Sequence, residues 1–251
     1  MPWLCSESFP PKAHGTRGVP WLVSTPLMLL TEAIVGLAQK FLTEDNHWYG
    51  WPINDDLLPE GITLPNGSLY HRNVSLKRLL NERLENADDQ QKVALVNYYI
   101  SDWGRIPRNS HENIRRYALD APEQLISLGK KGIASWSKAL CIRDPNAYPI
   151  YDARVAVALN ALQAINNDVE PQLFPAVPSR KTSIVVVSNL LRQYATQHGW
   201  ARLNAQEFYR HYIHVISIAA SNLRCPLYTV EMLLFAKAED LSRVAFRNGP
   251  F

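Results

Sequence analysis

Two residues of opposite charge, Lys138 and Asp152, are the leading candidates for catalysis in this chain. Asp152 follows a proline-containing loop at the predicted start of an apolar helix, and Lys138 lies on the helix before that loop. A carboxylate at a helix N-terminus is favoured by the helix dipole and can cap the first backbone amides. If it faces a cleft, the same carboxylate could stabilise positive charge on a sugar or activate a nucleophile. A pairing of the two side chains would be a structural ion pair or a catalytic dyad, and the sequence leaves both interpretations open.

A turn with two glycines precedes this pair. Gly129 and Gly132 flank Lys130 and Lys131, and the pattern predicts a helix, a tight turn and a second helix. Such a hairpin can point backbone N–H groups outward at a helix N-terminus, which suits a phosphate group. The two lysines would add positive charge. The alternative is a glycine C-cap followed by an ordinary helix start.

Other polar and aromatic residues are weaker candidates. Arg154 is a candidate contact to a phosphate or carboxylate, with a surface arginine as the simpler interpretation. The aromatic run 48–51 could stack on a base, although covering an edge of the core is the more common role. His211 and His214 share a helix face, but without a third ligand they do not predict a metal site.

The run from Gly129 to Leu159 resembles the helix–hairpin–helix DNA glycosylase superfamily. It is most similar to the bacterial 8-oxoguanine glycosylase-like (OGG-fold) branch, some members of which accompany anti-phage defence genes. In that superfamily a hairpin and a short proline-containing loop precede a catalytic aspartate at the next helix start, the position of Asp152 here. The resemblance implies an all-α glycosylase-like fold that flips a modified purine out of nucleic acid and cleaves its N-glycosidic bond, without a cofactor.

The nucleophilic lysine of the bifunctional members lies immediately after the hairpin glycines, where this sequence has Ile133. Lys138 is five residues further along, about 140° around an ideal helix and ~7.5 Å along its axis. Lys131 lies just before the expected position, and the hairpin reads GKKG rather than GxG. The resemblance therefore implies Asp152 as the catalytic carboxylate, and Lys138 or, less directly, Lys131 as nucleophile or support.

Two other functions stay open. One is a non-catalytic OGG-fold module that binds a nucleobase, a nucleotide or a protein. The other is a helical partner-binding protein of a defence operon, in which Asp152 is only a helix cap.

Helical periodicity dominates the remaining sequence and predicts an all-α protein of nine or ten helices. We expect one domain, 1–251, with two lobes at roughly 20–128 and 129–251 as an alternative. The stretch 46–75 is predicted to be a long ordered loop or a small hairpin. Asp88 is a predicted N-cap, and Asn204 with Glu207 resembles a capping box. Besides the short helix that carries Lys138, the predicted helices cover 26–43, 76–84, 88–103, 110–119, 122–128, 152–165, 181–197, 204–223 and 228–244.

The amino-acid composition indicates a globular protein and argues against a membrane-spanning one. An apolar content of 47% is ample for a core, and no apolar run approaches the ~18 residues of a membrane span. Without a signal peptide, and with Cys5, Cys141 and Cys225 at no metal or CxxC spacing, we expect a reducing, cytoplasmic environment. The net charge is uneven, −3 over residues 1–101 and +5 over 171–251. The basic third suits nucleic acid or is simply a solvated face.

Overall fold

The computed structural model describes residues 25–42 and 47–248 of the chain. The structure is 66% helical, with one small two-stranded parallel sheet that pairs Gln172 with Ala201, and this confirms the all-α prediction. No helix in the described ranges is long and apolar enough to cross a membrane. The elements are α1 (Thr25–Phe41), a 3-10 helix (Asp55–Leu57), α2 (Leu69–Asn86), α3 (Asp89–Asn97), a π-helix (Tyr98–Trp103), α4 (His111–Leu119), α5 (Pro122–Ile126), α6 (Ile133–Arg143), α7 (Ala153–Asn166), β1 (Gln172–Leu173), α8 (Thr182–Gln197), β2 (Ala201–Arg202), α9 (Phe208–Leu223) and α10 (Leu227–Asn248).

Helix α7 lies at the centre of the fold. Its sequence, ARVAVALNALQAIN, is apolar on all sides, which is typical of a helix surrounded by protein. Residues 155–164 are all buried, and α10 packs most extensively against the helix, with α8 and α1 on its other sides. Because α7 is held on every side, its first residue and the N-cap Asp152 have fixed positions.

The segment that follows α7 is held by side chains of the helix itself. Asn160 Nδ2 donates to the carbonyl of Phe174 (3.0 Å), and Asn160 Oδ1 accepts from the amide of Phe174 (2.9 Å). Gln163 makes the same pair of bonds with the backbone of Gln172, at 2.9 and 2.8 Å. Two side-chain amides thus satisfy an extended backbone in the way that a neighbouring strand would.

Three of the predicted boundaries are wrong. The predicted loop 46–75 ends early, because Ser68 Oγ accepts from the amide of His71 and begins α2 at Leu69. The predicted helix 88–103 begins after the Asp88 cap as expected but widens into a π-helix at Tyr98. The predicted capping box at 204 does not form: the Asn204 side chain accepts from the amide of Gln206, a turn follows, and α9 begins only at Phe208.

The buried apolar side chains form one cluster that runs from α1 to α10. Trp136 and Tyr209 are fully buried in it, with their rings 4.8 Å apart and edge to face. Cys141 is buried as a free thiol, Cys225 is half-buried, and Cys5 lies outside the described residues.

Candidate functional site

The two-glycine hairpin joins α5 to α6. Gly129 and Gly132 have φ values of +56° and +72°, in the left-handed region that favours glycine. A Cβ atom on Gly132 would lie 2.5 Å from the Tyr117 hydroxyl oxygen, and one on Gly129 would lie 2.4 Å from the carbonyl oxygen of Ala205. Both positions therefore need glycine for backbone conformation and for space.

The hairpin presents its charge and its amides on the surface. Lys130 and Lys131 are exposed. The carbonyl of Lys131 accepts from Trp136 Nε1 (3.1 Å), so a buried indole holds the turn. The amides of Gly132 and Ala134 donate no hydrogen bond within the described part of the chain. The hairpin can thus offer two backbone donors and two ammonium groups to an anion.

Lys138 is buried on α6, with 5% of its surface exposed. Its Nζ donates to the carbonyl of Ala134 one turn earlier (2.9 Å), and its methylene groups pack against Gly104, where a Cβ atom would lie 2.9 Å from Cδ. Burial lowers the pKa of Lys138, and the negative charges of Asp152 and Glu231 oppose that change only in part. The amine therefore loses its proton more readily than a lysine in water.

Hydroxyl groups fix the loop that delivers Asp152. The carbonyl of Pro149 accepts from the Tyr209 hydroxyl (2.8 Å), and the carbonyl of Ile150 accepts from the Tyr212 hydroxyl (2.9 Å). Ser137 Oγ, next to Lys138 on α6, accepts from the amide of Tyr151 (3.1 Å). These bonds tie the loop both to α9 and to the helix that carries the lysine.

Asp152 caps α7. Its Oδ1 accepts from the amides of Arg154 (2.9 Å) and Val155 (3.1 Å), while its Oδ2 accepts nothing from the described residues. The side chain is half-buried. Lys138 and Asp152 influence each other electrostatically, but among the described side chains no ion pair joins them. Each charge therefore stays available to a third group.

Arg154 points toward α10 rather than into solvent. Its Nη1 lies 3.0 Å from Glu239 Oε1, and its guanidinium lies 4.9 Å from the centre of the Phe235 ring. Trp51, from the aromatic run 48–51, packs edge to face against Phe235, with ring centres 5.3 Å apart. The guanidinium of Arg105 lies over the Trp51 ring, 4.8 Å from its centre. The run thus covers an edge of the core, and two arginines stack on the aromatic rings.

Sequence reasoning missed a buried ion pair near Lys138. Lys77 Nζ on α2 lies 2.9 Å from Glu231 Oε2 on α10, and their side chains are 2% and 4% exposed. Burial alone would lower the pKa of Lys77, but the attraction and hydrogen bond of Glu231 raise it above its usual value. The Tyr99 hydroxyl is also buried and has no partner among the described residues. It lies on the π-helix, a distortion that is frequent at functional sites.

A sequence signal for this pair did exist. Lys77 falls in phase with buried residues of α2, and Glu231 falls in phase with Leu227, Leu234 and Ala238 of α10. A charged residue at a core position of a helix indicates a buried partner.

Two surface clefts lie elsewhere. One, of about 360 Å³, lies between α8 and α10, and the other, of about 580 Å³, lies between α1, the end of α7 and α10. Neither is lined by Lys138 or Asp152, although Glu239, the partner of Arg154, borders the smaller one. Within the described ranges no group of three or more His, Cys, Asp or Glu side chains could hold a metal ion.

Part of the positive charge of the C-terminal third is neutralised. Arg210 pairs with Glu123 from α5, Lys181 pairs with Glu239, and Arg243 pairs with Asp240. The exposed lysines of the hairpin have no carboxylate partner among the described residues, so they are the freest positive charges near the candidate site.

Comparison of the chain with protein-family models, with curated proteins and with solved structures finds no match in any of the three. Function is therefore inferred from the geometry of the hairpin, Lys138 and Asp152.

Proposed function

We propose that the protein is a glycosylase-like enzyme of the helix–hairpin–helix type that recognises a modified purine, such as 8-oxoguanine, in nucleic acid and cleaves its N-glycosidic bond. One observation carries the proposal. A buried amine with a lowered pKa and a half-buried carboxylate follow a two-glycine hairpin, and the two charges do not neutralise each other in an ion pair. A role in anti-phage defence, with a protein partner from a defence operon, follows from the resemblance alone.

The reaction would use the carboxylate of Asp152 electrostatically. When the bond between C1′ of the sugar and the purine nitrogen breaks, its electron pair leaves with the base, which takes up a proton, and positive charge develops on the sugar. A carboxylate that is already oriented by two backbone amides can stabilise that charge without reorganising. Water then adds to C1′ and completes the hydrolysis.

Lys138 would be the nucleophile or its support. Only a neutral amine can attack C1′, and burial increases the neutral fraction of Lys138 at a given pH. Since Nζ is held by the carbonyl of Ala134 and the stem packs against Gly104, attack requires the side chain to break that hydrogen bond and change its packing. Lys131 is exposed beside the hairpin glycines and is the second choice for the same role.

The hairpin would hold the nucleic acid. The free amides of Gly132 and Ala134, with the ammonium groups of Lys130 and Lys131, are suited to one or two backbone phosphates. Arg154 would act indirectly in this arrangement, since Glu239 and Phe235 of α10 already hold its guanidinium.

The test is incubation with duplexes that carry 8-oxoguanine or other modified purines, with and without borohydride. Wild type, Asp152→Asn, Lys138→Ala and Lys131→Ala are compared. Asp152→Asn keeps the capping oxygen and removes the charge, so the helix start is retained. A trapped adduct that disappears only in Lys138→Ala supports covalent catalysis by Lys138, and one that disappears only in Lys131→Ala moves that role to Lys131.

Base release without trapping supports hydrolysis alone. If wild type releases no base from any duplex of the panel, the proposal is wrong. Phosphate binding by the hairpin has a separate readout, because loss of Lys130 or Lys131 should reduce the salt dependence of duplex binding by about one unit of slope for each contact.

A non-catalytic module that binds a protein partner is the second candidate. It is favoured by an apolar face on α8, where Val185, Val186 and Leu190 are 38–51% exposed. Scattered exposed apolar residues are ordinary, but three within two turns of one helix form a patch. In that case Asp152→Asn would leave partner binding unchanged, while Val186→Glu would abolish it.

A further inference from the structure

The larger cleft is remote from the candidate active site. It lies between α1, the C-terminal end of α7 and α10, with a volume of about 580 Å³. Its walls are mainly apolar and include Leu37, Phe41, Leu162, Leu241 and Val244. Along α7, the wall residue Leu162 lies about 15 Å from Asp152 at 1.5 Å per residue. Its size is in the range of small-molecule sites.

A glycine in the middle of α1 leaves space in the cleft that a side chain would fill. Gly36 lines the cleft and has an ordinary helical φ, and a Cβ atom added there would meet no atom within 4 Å. Neither a turn nor a close contact requires glycine at this position. A glycine inside a helix is less stable than alanine, so this residue leaves space at a cost to the helix.

The cleft contains an unpaired carboxylate. Asp168 lines it and makes no ion pair, and its Oδ2 is shielded from water without a hydrogen-bond partner among the described residues. Burial raises the pKa of Asp168 to about 6. The last turn of α7 contains no basic residue, so the negative end of that helix dipole adds to the charge of the carboxylate. Both features favour a cation.

The other charged groups of the cleft do not supply that cation. Lys237 lies 3.5 Å from Asp240 and 4.1 Å from the centre of the Phe41 ring, so it is held between α10 and the end of α1. Lys40 lies 5.2 Å from the centre of the same ring. Glu32 is also in the cleft and adds a further negative charge.

We propose that this cleft binds a small apolar molecule that carries one protonated primary amine. Its ammonium group donates to the Asp168 carboxylate at the end of α7, which turns to expose Oδ2, and its hydrocarbon part lies against the apolar wall beside Gly36. This site is independent of the hairpin and of the proposed glycosylase reaction.

The test uses phenethylamine and its neutral analogue phenethyl alcohol, titrated by calorimetry against the full chain at pH 7.5. A charge-assisted hydrogen bond is stronger than a neutral one, so wild type should bind the amine at least ten-fold more tightly than the alcohol. Asp168→Asn should reduce the affinity for the amine to that for the alcohol. Asp152→Asn should change neither, which separates this site from the candidate active site.

Gly36 offers a matched pair of variants that leaves every charge in place. Gly36→Leu fills the cleft and should abolish binding of both compounds, while Gly36→Ala should retain binding, and circular dichroism checks that both variants fold. Affinity for the amine should fall as the pH is lowered through about 6, because Asp168 becomes neutral. Equal affinity for amine and alcohol, unchanged binding by Gly36→Leu, or no binding of the amine to wild type would each overturn the proposal.

Discussion

Removing one partner of the buried ion pair between Lys77 and Glu231 should destabilise the fold strongly. Lys77→Met leaves the Glu231 carboxylate, which is 4% exposed, without its hydrogen bond and its counter-charge. A buried charge that loses its partner costs about 3–5 kcal/mol. At about 2–4 °C per kcal/mol for a chain of this size, the melting temperature should fall by about 6–20 °C.

The neighbouring residue provides the control. Arg78 lies next to Lys77 on α2, and it makes an exposed pair with Glu82 at 3.8 Å. Because exposed pairs contribute about 0–1 kcal/mol, Arg78→Met should shift the unfolding midpoint by no more than ~4 °C.

Urea and thermal denaturation of Lys77→Met, Glu231→Leu, Arg78→Met and the double variant Lys77→Met/Glu231→Leu complete the experiment. The double variant buries no charge, so it should recover most of the stability lost by Lys77→Met. A loss below about 1 kcal/mol in Lys77→Met would contradict a stabilising ion pair at this position, as would a double variant no more stable than the sum of its single changes predicts.

Three further predictions concern the candidate site. Asp152→Ala should cost about 1 kcal/mol by loss of the N-cap, while Asp152→Asn should cost only a few tenths, as measured by thermal unfolding; equal losses would contradict the capping role. Ser137→Ala should cost about 1–3 kcal/mol in urea denaturation, because the buried amide of Tyr151 loses its acceptor, whereas Ser127→Ala on the surface should stay within ~0.5 kcal/mol. Lys138→Met should stabilise the fold at pH 7 by about 1 kcal/mol, because a buried ammonium is replaced by an apolar group of similar size. This gain should shrink as the pH rises toward 10.5, since the lowered pKa lets the folded wild type release its proton first; a gain that grows with pH would contradict the lowered pKa.

Local signals predicted most of the helices correctly. Asp88 and Gln91 form a capping box, and Ser110 caps α4, because both motifs act within one turn. Residues 182–197 form a helix despite the β-branched patch at 184–187, since the segment is long and amphipathic. The start of α2 was missed because the polar run 71–73 interrupts its apolar pattern soon after the cap Ser68.

Long-range contacts explain what the sequence could not reveal about the fold. The π-helix ends at Trp103, whose Nε1 donates to Asn73 Oδ1 (2.8 Å), thirty residues earlier in the chain. No pattern within 98–103 shows that this indole has a distant acceptor. Local propensity therefore favours a regular α-helix there, and tertiary packing overrides it.

The candidate site was predictable only in part. The proline-containing loop and the apolar helix after it correctly located Asp152 as a helix cap. The relation of Lys138 to Asp152 was not readable, because it depends on hydroxyl groups of Tyr209 and Tyr212, about sixty residues away, which hold the loop. The proposed catalytic roles of both residues remain predictions.

The side-chain amides of Asn160 and Gln163 couple hydrogen exchange in the segment after α7 to the opening of the helix itself. The amide hydrogens of Gln172 and Phe174 can exchange with solvent only when those side-chain bonds break. Since both side chains are buried, breaking the bonds requires the central helix to separate from its surroundings. This segment and α7 therefore open as one cooperative unit, and protection against exchange extends beyond the end of the helix into a stretch with almost no regular structure of its own.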